Sequence, residues 1–360
     1  MSTTEYLEQT DRSVKFNAYG VPSAVVNSLR RVILADIVAP VFHSTDEPDS
    51  DIVIAVNSSQ TNNEILRQRL ACIPLTVADG DPSALDGMTA KLDVVNDTES
   101  TLSVTTEAIV LYRDEAPLTE EETRAIISPN PVSGDFIELL RLRPATSAGG
   151  QGERINLSAT ISLHTAKENA CFAVASLCTF GGIVDKSKSD RAWEVEKQRL
   201  QARGASQEAI ESAKLDWPHV NGKRHVLENS FEFTVESVGV YTASRIVSLG
   251  LDKVVSRIDE VLVNLDETPI NPASSTIPNA WDVTLTRGDH TLGNMLDQVF
   301  HMNSVGNGVD YCGFRRPHPH QPTGVLRLGF NKEVGVDEIR SVLRINLEAT
   351  KKMVDSLRAT

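Results

Sequence analysis

NSLRRVI (27–33) and NMLDQVF (294–300) are the stretches on which the fold turns. Set over each other, they align Asn27 with Asn294, Leu29 with Leu296 and Val32 with Val299. Each follows a strand-like run and a turn: VKFNAY (14–19) before Gly20-Val21-Pro22-Ser23, and WDVTLTR (281–287) before the second. In the first helix Val25, Leu29 and Val32 form one stripe, widened by Val26, Ile33 and Ile37, while Arg30 and Arg31 project elsewhere. Leu292, Leu296 and Val299 make the matching stripe in the second. Each half also closes on a long amphipathic helix. Val247, Leu251, Val254, Ile258 and Val261 recur at three- and four-residue steps in 242–262, as do Ile339, Leu343, Leu347, Thr350, Val354 and Leu357 in 336–357. So small a unit cannot cover such stripes by itself. The halves are therefore expected to cover each other in a pseudo-twofold pairing within one chain, through Val25, Leu29, Val32, Val247, Leu251, Ile258, Leu292, Leu296, Val299, Leu343 and Leu347.

Working outward, DIVIAV (51–56) reads as a strand, and Thr61-Asn62-Asn63-Glu64 starts a helix through ILRQRLACIPL that Pro74 ends. From 76 to 180 short alternating runs follow, such as LSVTTEAIVLY (102–112), INLSATISLH (155–164) and FAVASLCTF (172–180), which predict a β-rich insert. Residues 185–225 carry 9 basic and 7 acidic residues, an exposed helical hairpin broken at Gly204 whose charges need be no more than a solvated face. FEFTVESVGV (231–240) is a strand leading into the 242–262 helix, and DETPINPASSTIPNA (266–280) has linker composition. The fold class is α+β. The expected organisation is a discontinuous dimerisation unit (1–75 and 226–265), an insert domain (76–225) carrying the hairpin, a linker (266–280) and a small C-terminal domain (281–360).

A chain of 360 residues can bury a sizeable core without disulfides or metals. Asp and Glu outnumber Lys and Arg by 49 to 35, a net charge of −14 that repels phosphate backbones, so a general nucleic-acid coat is excluded. With 5% aromatic residues, an extended base-stacking surface is excluded as well. The N-terminal MSTTEYLEQTDR lacks the apolar core of a secretion signal, and no window predicts a membrane span. Cys72, Cys171, Cys178 and Cys312 contain no Cys-x-x-Cys pair and read as reduced thiols of an intracellular protein.

Candidate chemistry is thin. His318-Pro319-His320, with Cys312 and His290, offers zinc-type ligands, but the spacing is not that of a usual structural site and the prolines favour a rigid turn. Cys171 near His164 lies in β structure without an obvious third catalytic member, and there is no Gly-x-Ser-x-Gly elbow. GGQG (149–152) lacks the Lys-Ser/Thr of a phosphate loop. Asp46, Asp49 and Asp51 belong to a loop whose acids read as solvated. No cofactor is expected, and the missing cysteine cluster gives the expectation of no stoichiometric zinc or iron.

Specific runs carry a family resemblance. NSLRRVILADI with ILRQRLACIPL, LLRLRPATSAGGQGERINLSATISLHTAKENACFAV (139–174) and FEFTVESVGVYTASRIVSLGLDKVVSRIDEVL (231–262) resemble the alpha-type assembly subunits of cellular RNA polymerases, a family that includes the archaeal D-type and the eukaryotic third-largest subunits. DHTLGNMLDQVF with VDYCGFRRPHPHQPTGVLRL is similar to their small partner, of the archaeal L type or the eukaryotic eleventh-subunit type. The resemblance implies two normally separate subunits fused into one non-catalytic platform of a DNA-directed RNA polymerase, a fusion associated with certain large DNA viruses. It implies as partners the second-largest and largest polymerase subunits and small subunits, with no direct DNA contact and no membrane. It places the protein inside the cell, in cytoplasm or nucleus, or packaged in a virion. By themselves Arg30 and Arg31 read as solvated helix cations; the resemblance makes them, with Arg69, contacts for the large subunits. The insert's two cysteines, Cys171 and Cys178, are too few for the family's zinc or iron–sulfur loops. The competing classes are a stand-alone cysteine- or metal-dependent hydrolase and a free protein–protein adaptor with the same dimerisation fold.

Expressed as separate chains, residues 1–265 and 281–360 are expected to associate. Leu296→Asp should weaken that pairing by desolvating a charge in the helix seam. Halves eluting from gel filtration as independent soluble monomers would exclude it.

Overall fold

The computed structural model describes residues 3–44, 50–78, 80–146 and 150–358, so Asp46, Asp49 and Gly149 lie outside the described residues. The chain begins with β1 (Thr3–Gln9) and β2 (Ser13–Tyr19), then α1 (Ser23–Ala35). Sequence pattern does not predict β1, because TTEYLEQ offers little apolar alternation. Next come β3 (Val38–Phe42), β4 (Ile52–Asn57) and α2 (Asn63–Ala71), the last capped by the Asn62 side chain. Then follow β5 (Thr89–Val95), β6 (Leu102–Thr105), β7 (Val110–Arg113), β8 (Ala116–Pro117), α3 (Glu120–Ile126), β9 (Glu138–Leu142) and the long β10 (Arg154–Thr165). The pair β11 (Ala175–Val184) and β12 (Val226–Ser237) encloses α4 (Lys186–Ala202) and α5 (Gln207–Asp216), and the left-handed Gly204 turns the chain between these helices. After α6 (Ala243–Val263) come β13 (Ile270–Pro272), β14 (Ala280–Leu285), α7 (His290–Asn303), β15 (Val309–Arg315), β16 (Gly324–Phe330) and α8 (Val336–Asp355).

These elements form an α+β architecture of antiparallel sheets. The first sheet has the order β1-β2-β12-β11, and its register sets Phe16 opposite Phe233. Their rings stack at 5.0 Å and 5°, both fully buried, and anchor the sheet to α1 and α6. Another four-stranded sheet, β13-β14-β16-β15, carries α7 on its face.

Between them in sequence lies a sheet organised by β10. Its alternate residues Ile155, Leu157, Ala159 and Ile161 are buried, and it pairs with β5 along one edge and with β4 and then β3 along the other. Sheet membership therefore departs from the boundaries read in the sequence. The strands β3 and β4, expected in the first unit, pair with β10 in the sheet of the insert, and β11, expected in the insert, joins the first sheet beside β12. Alternation tells which face of a strand is buried but not which strand lies beside it. Nor is 266–280 wholly a linker: β13 adds an edge strand with Ile270 opposite Val283.

Two helical glycines set how closely layers approach. A Cβ at Gly250 of α6 would lie 2.6 Å from Ile33 Cγ1 and 3.1 Å from Leu29 Cδ1 of α1, and one at Gly293 of α7 would overlap the Phe314 ring. Gly250→Val should cost about 1–3 kcal/mol through overpacking of α6 on α1, seen as a lower urea midpoint at unchanged slope. A midpoint equal to wild type would contradict the close packing of these helices.

Candidate functional site

The faces of α1 and α6 turned away from their sheet meet α7 and α8. Helix α1 packs on α6 and α7, and α8 packs on α6 and α7, so four helices share one seam. All the residues expected to pair are buried, from Val25, Leu29 and Val32 through Val247, Leu251 and Ile258 to Leu292, Leu296, Val299, Leu343 and Leu347. Ser28, Val32, Val254, Arg257, Thr291, Leu292 and Met295 line one small gap of about 10 Å³ between the helices.

Polar groups thread this apolar seam and fix its register. The Ala24 N–H donates to Gln298 Oε1 (2.8 Å). The buried Ser28 hydroxyl lies 2.7 Å from both the Ala24 and Thr291 carbonyls and shares its single proton between them. Arg257 of α6 sits at the centre of a three-part ion pair, 3.3 Å from Asp36 at the end of α1 and 2.7 Å from Asp289 at the start of α7. Asp289 is also the N-cap of α7, accepting from the Leu292 N–H at 3.0 Å. Burial pushes the Asp289 carboxyl up, but the bonds from Arg257 and Leu292 outweigh it and hold the group below its ordinary range. Farther along, Lys351 pairs with Asp259 and Arg358 with Asp252, each at 2.7 Å. Sequence reading misses Arg257, Asp36 and Asp289. The available signals are an arginine between Val254 and Ile258 of an apolar stripe and an aspartate three residues before Leu292.

The arginines singled out from the sequence are spread over two regions. Arg30 is half-buried and turns back onto Asn27 Oδ1, its Nη2 at 3.0 Å. Arg31 is exposed, yet its Nε donates to Thr291 Oγ1 at 2.8 Å, so it reaches across the seam instead of facing only outward. Arg69, on α2, donates to the Leu139 carbonyl of β9 at 2.5 Å and lies in the insert.

Among the described residues, no cysteine near them has the lowered thiol of an activated nucleophile. Burial and the neighbouring Cys72 thiol push the Cys171 thiol up, away from thiolate formation, and burial pushes Cys178 up to about 12. His318 and His320 stand together in an exposed turn, whereas His290 packs edge-on against Phe314 and Cys312 is buried. Among the described residues, the single group of three ligating side chains close enough to hold an ion is His43, Asp51 and His164.

Residues 280–360 match the RNA polymerase Rpb3/Rpb11 dimerisation domain. The chain is similar to the DNA-directed RNA polymerase subunit Rpo3 of Pyrococcus furiosus, 27% identical over 279 residues that take in 73% of this chain and 97% of that subunit. It is similar as well to subunit Rpo3 of Thermococcus kodakarensis, 27% identical over 274 residues, 72% of this chain and 95% of the relative.

Arg257→Ala leaves Asp36 and Asp289 without their shared cation and should cost about 2 kcal/mol at neutral pH, below the 3–5 of a fully buried pair. The depressed Asp289 pKa contributes stability that is complete above the unfolded value of about 4 and is lost as pH falls through the folded one. The gap between wild type and variant should therefore narrow below about pH 4. Denaturant titrations at several pH values check this, and a pH-independent gap would argue against the pairing.

Proposed function

We propose that this chain, a relative of the alpha-like subunits of RNA polymerase, is the non-catalytic assembly platform of a DNA-directed RNA polymerase and unites in one polypeptide a pair of subunits that are otherwise separate. The observation that carries this reading is the four-helix seam. It joins a unit in a chain similar to Rpo3 with a C-terminal unit that matches the dimerisation domain, across the connection between α6 and β14. Covalent linkage makes the pairing intramolecular, so the platform forms at high effective concentration without awaiting a partner. The C-terminal unit, from 281 onward, acts as the small-subunit half, and the sheet around β10 is the insert.

The platform docks the second-largest subunit and helps recruit the largest, with small subunits at its edge. Arg30, Arg31 and Arg69 serve as contacts through charge-assisted hydrogen bonds to carboxylates and carbonyls. The net charge of −14 suits a position away from the DNA, and the setting is intracellular. The cysteine-dependent form of the stand-alone hydrolase reading is disfavoured by the raised thiol of Cys171. Purification of the native complex tests the platform directly: co-elution with two very large subunits supports it, and catalytic activity of the isolated chain overturns it.

Arg30→Glu combined with Arg31→Glu leaves the Val25, Leu29 and Val32 stripe intact and should change stability by no more than about 1 kcal/mol, even with the bond to Thr291 lost. Capture of the second-largest subunit should fail while the melting temperature stays near wild type. Capture with unchanged salt resistance would remove these arginines from the contact surface.

A further inference from the structure

We propose that His43, Asp51 and His164 form a binding site for a divalent transition-metal ion, with zinc the best match to two imidazoles and a carboxylate. The proposal is independent of the polymerase reading and reverses the expectation of no bound metal, which considered cysteines. His164 is far in sequence from His43 and Asp51, and the three meet because β10 pairs with both β3 and β4. His43 directly follows β3, Asp51 directly precedes β4, and His164 lies near the end of β10. One ligand atom of each lies within 4.8 Å of the other two.

The geometry is that of an open site that needs small movements to close. His43 Nδ1 is 3.9 Å from Asp51 Oδ2. The imidazoles lie face to face with centroids 4.0 Å apart, and Phe172 packs against both rings. Ligands around a tetrahedral ion with bonds of about 2.1 Å stand roughly 3.4 Å apart. The side chains must therefore shift by about an ångström and the stacked rings must splay for their nitrogens to converge. Side-chain exposures of 19% for His43, 31% for Asp51 and 21% for His164 leave that freedom and give an ion access from solvent.

The surrounding groups already orient the ligands. Glu168 Oε2 is 2.5 Å from His164 Nδ1, and its other oxygen accepts from the Thr165 hydroxyl at 3.0 Å. That carboxylate favours the tautomer with hydrogen on Nδ1 and leaves the Nε2 lone pair for a metal, the carboxylate–histidine–metal arrangement of many zinc sites. The Ser162 hydroxyl donates to Asp51 Oδ2 at 2.5 Å and holds the carboxylate toward the imidazoles. Three protein ligands leave the fourth position to water or an additional donor. A bound ion would tie His43 and Asp51, at the ends of β3 and β4, to β10 and stabilise the insert sheet.

The test titrates the metal-stripped full chain with Zn²⁺ by calorimetry and with Co²⁺ by visible absorption. Support is one ion per chain, a raised melting temperature, and cobalt d–d bands without sulfur-to-metal charge transfer. His43→Ala and His164→Ala should weaken binding at least about tenfold, and Glu168→Gln by about 10–100-fold as a positioning residue. The double variant His318→Ala, His320→Ala should bind as wild type does. If an alanine variant fails to fold, Asp51→Asn supplies the same test with a nearly isosteric side chain. No binding by the wild-type chain, a thiolate charge-transfer band, or undiminished binding by the folded His43, Asp51 or His164 variants would overturn the proposal.

Discussion

Two helix pairs, α1 with α6 on the first sheet and α8 with the sheet-packed α7, escape water only by meeting. That mutual burial is the constraint on which the rest of the structure depends. The apolar stripes supply the driving force but little register, since one hydrophobic ridge slides over another at small cost. Register comes from groups that cannot be left unpaired: the Ser28 hydroxyl on the Thr291 carbonyl, and Arg257 between Asp36 and Asp289. Asp289 caps α7 and binds Arg257, so the start of one helix is positioned by a side chain of the other unit.

The insert is suspended from this frame without disturbing it. The chain leaves the first sheet after β2 and α1 and returns along β11 to β12, which closes against β2. The insert's sheet is built from strands that lie between that departure and that return, with β3 and β4 arriving early and β10 late. The helices α4 and α5 form a similar excursion between β11 and β12, with a small core of Trp193 and Trp217 whose rings lie 5.5 Å apart. Excursions of this kind can change in length while the seam keeps its geometry, because they contribute few of its residues.

Linking the two units in one chain changes what their interface must achieve. Separate subunits must offset lost translational and rotational freedom, whereas here a short connection, part of it paired as β13, has already done so. The peripheral ion pairs Lys351–Asp259 and Arg358–Asp252 are partly exposed and add little affinity. Their value lies in orientation, since they set α8 against α6 at points where apolar contact alone would not choose an angle.

Much of this is legible in the residues themselves. The helices α1, α6, α7 and α8 are written in the three- and four-residue spacing of Val25, Leu29 and Val32 and its counterparts, and the pairing of halves follows from stripes that a small unit cannot cover. The β character of the insert shows in the alternation of INLSATISLH. The neighbours of each strand are not legible: β3 and β4 lie beside β10, and β11 beside β12, in units other than those the sequence predicts, because alternation specifies a face and not a partner. Neither is the reach of Arg31 to Thr291, nor the meeting of His43, Asp51 and His164. Periodicity is a property of a local stretch of chain, so the sequence by itself determined the elements and their buried faces. Which edges pair and which side chains converge depends on residues distant along the chain being brought together, and only the tertiary structure decided that.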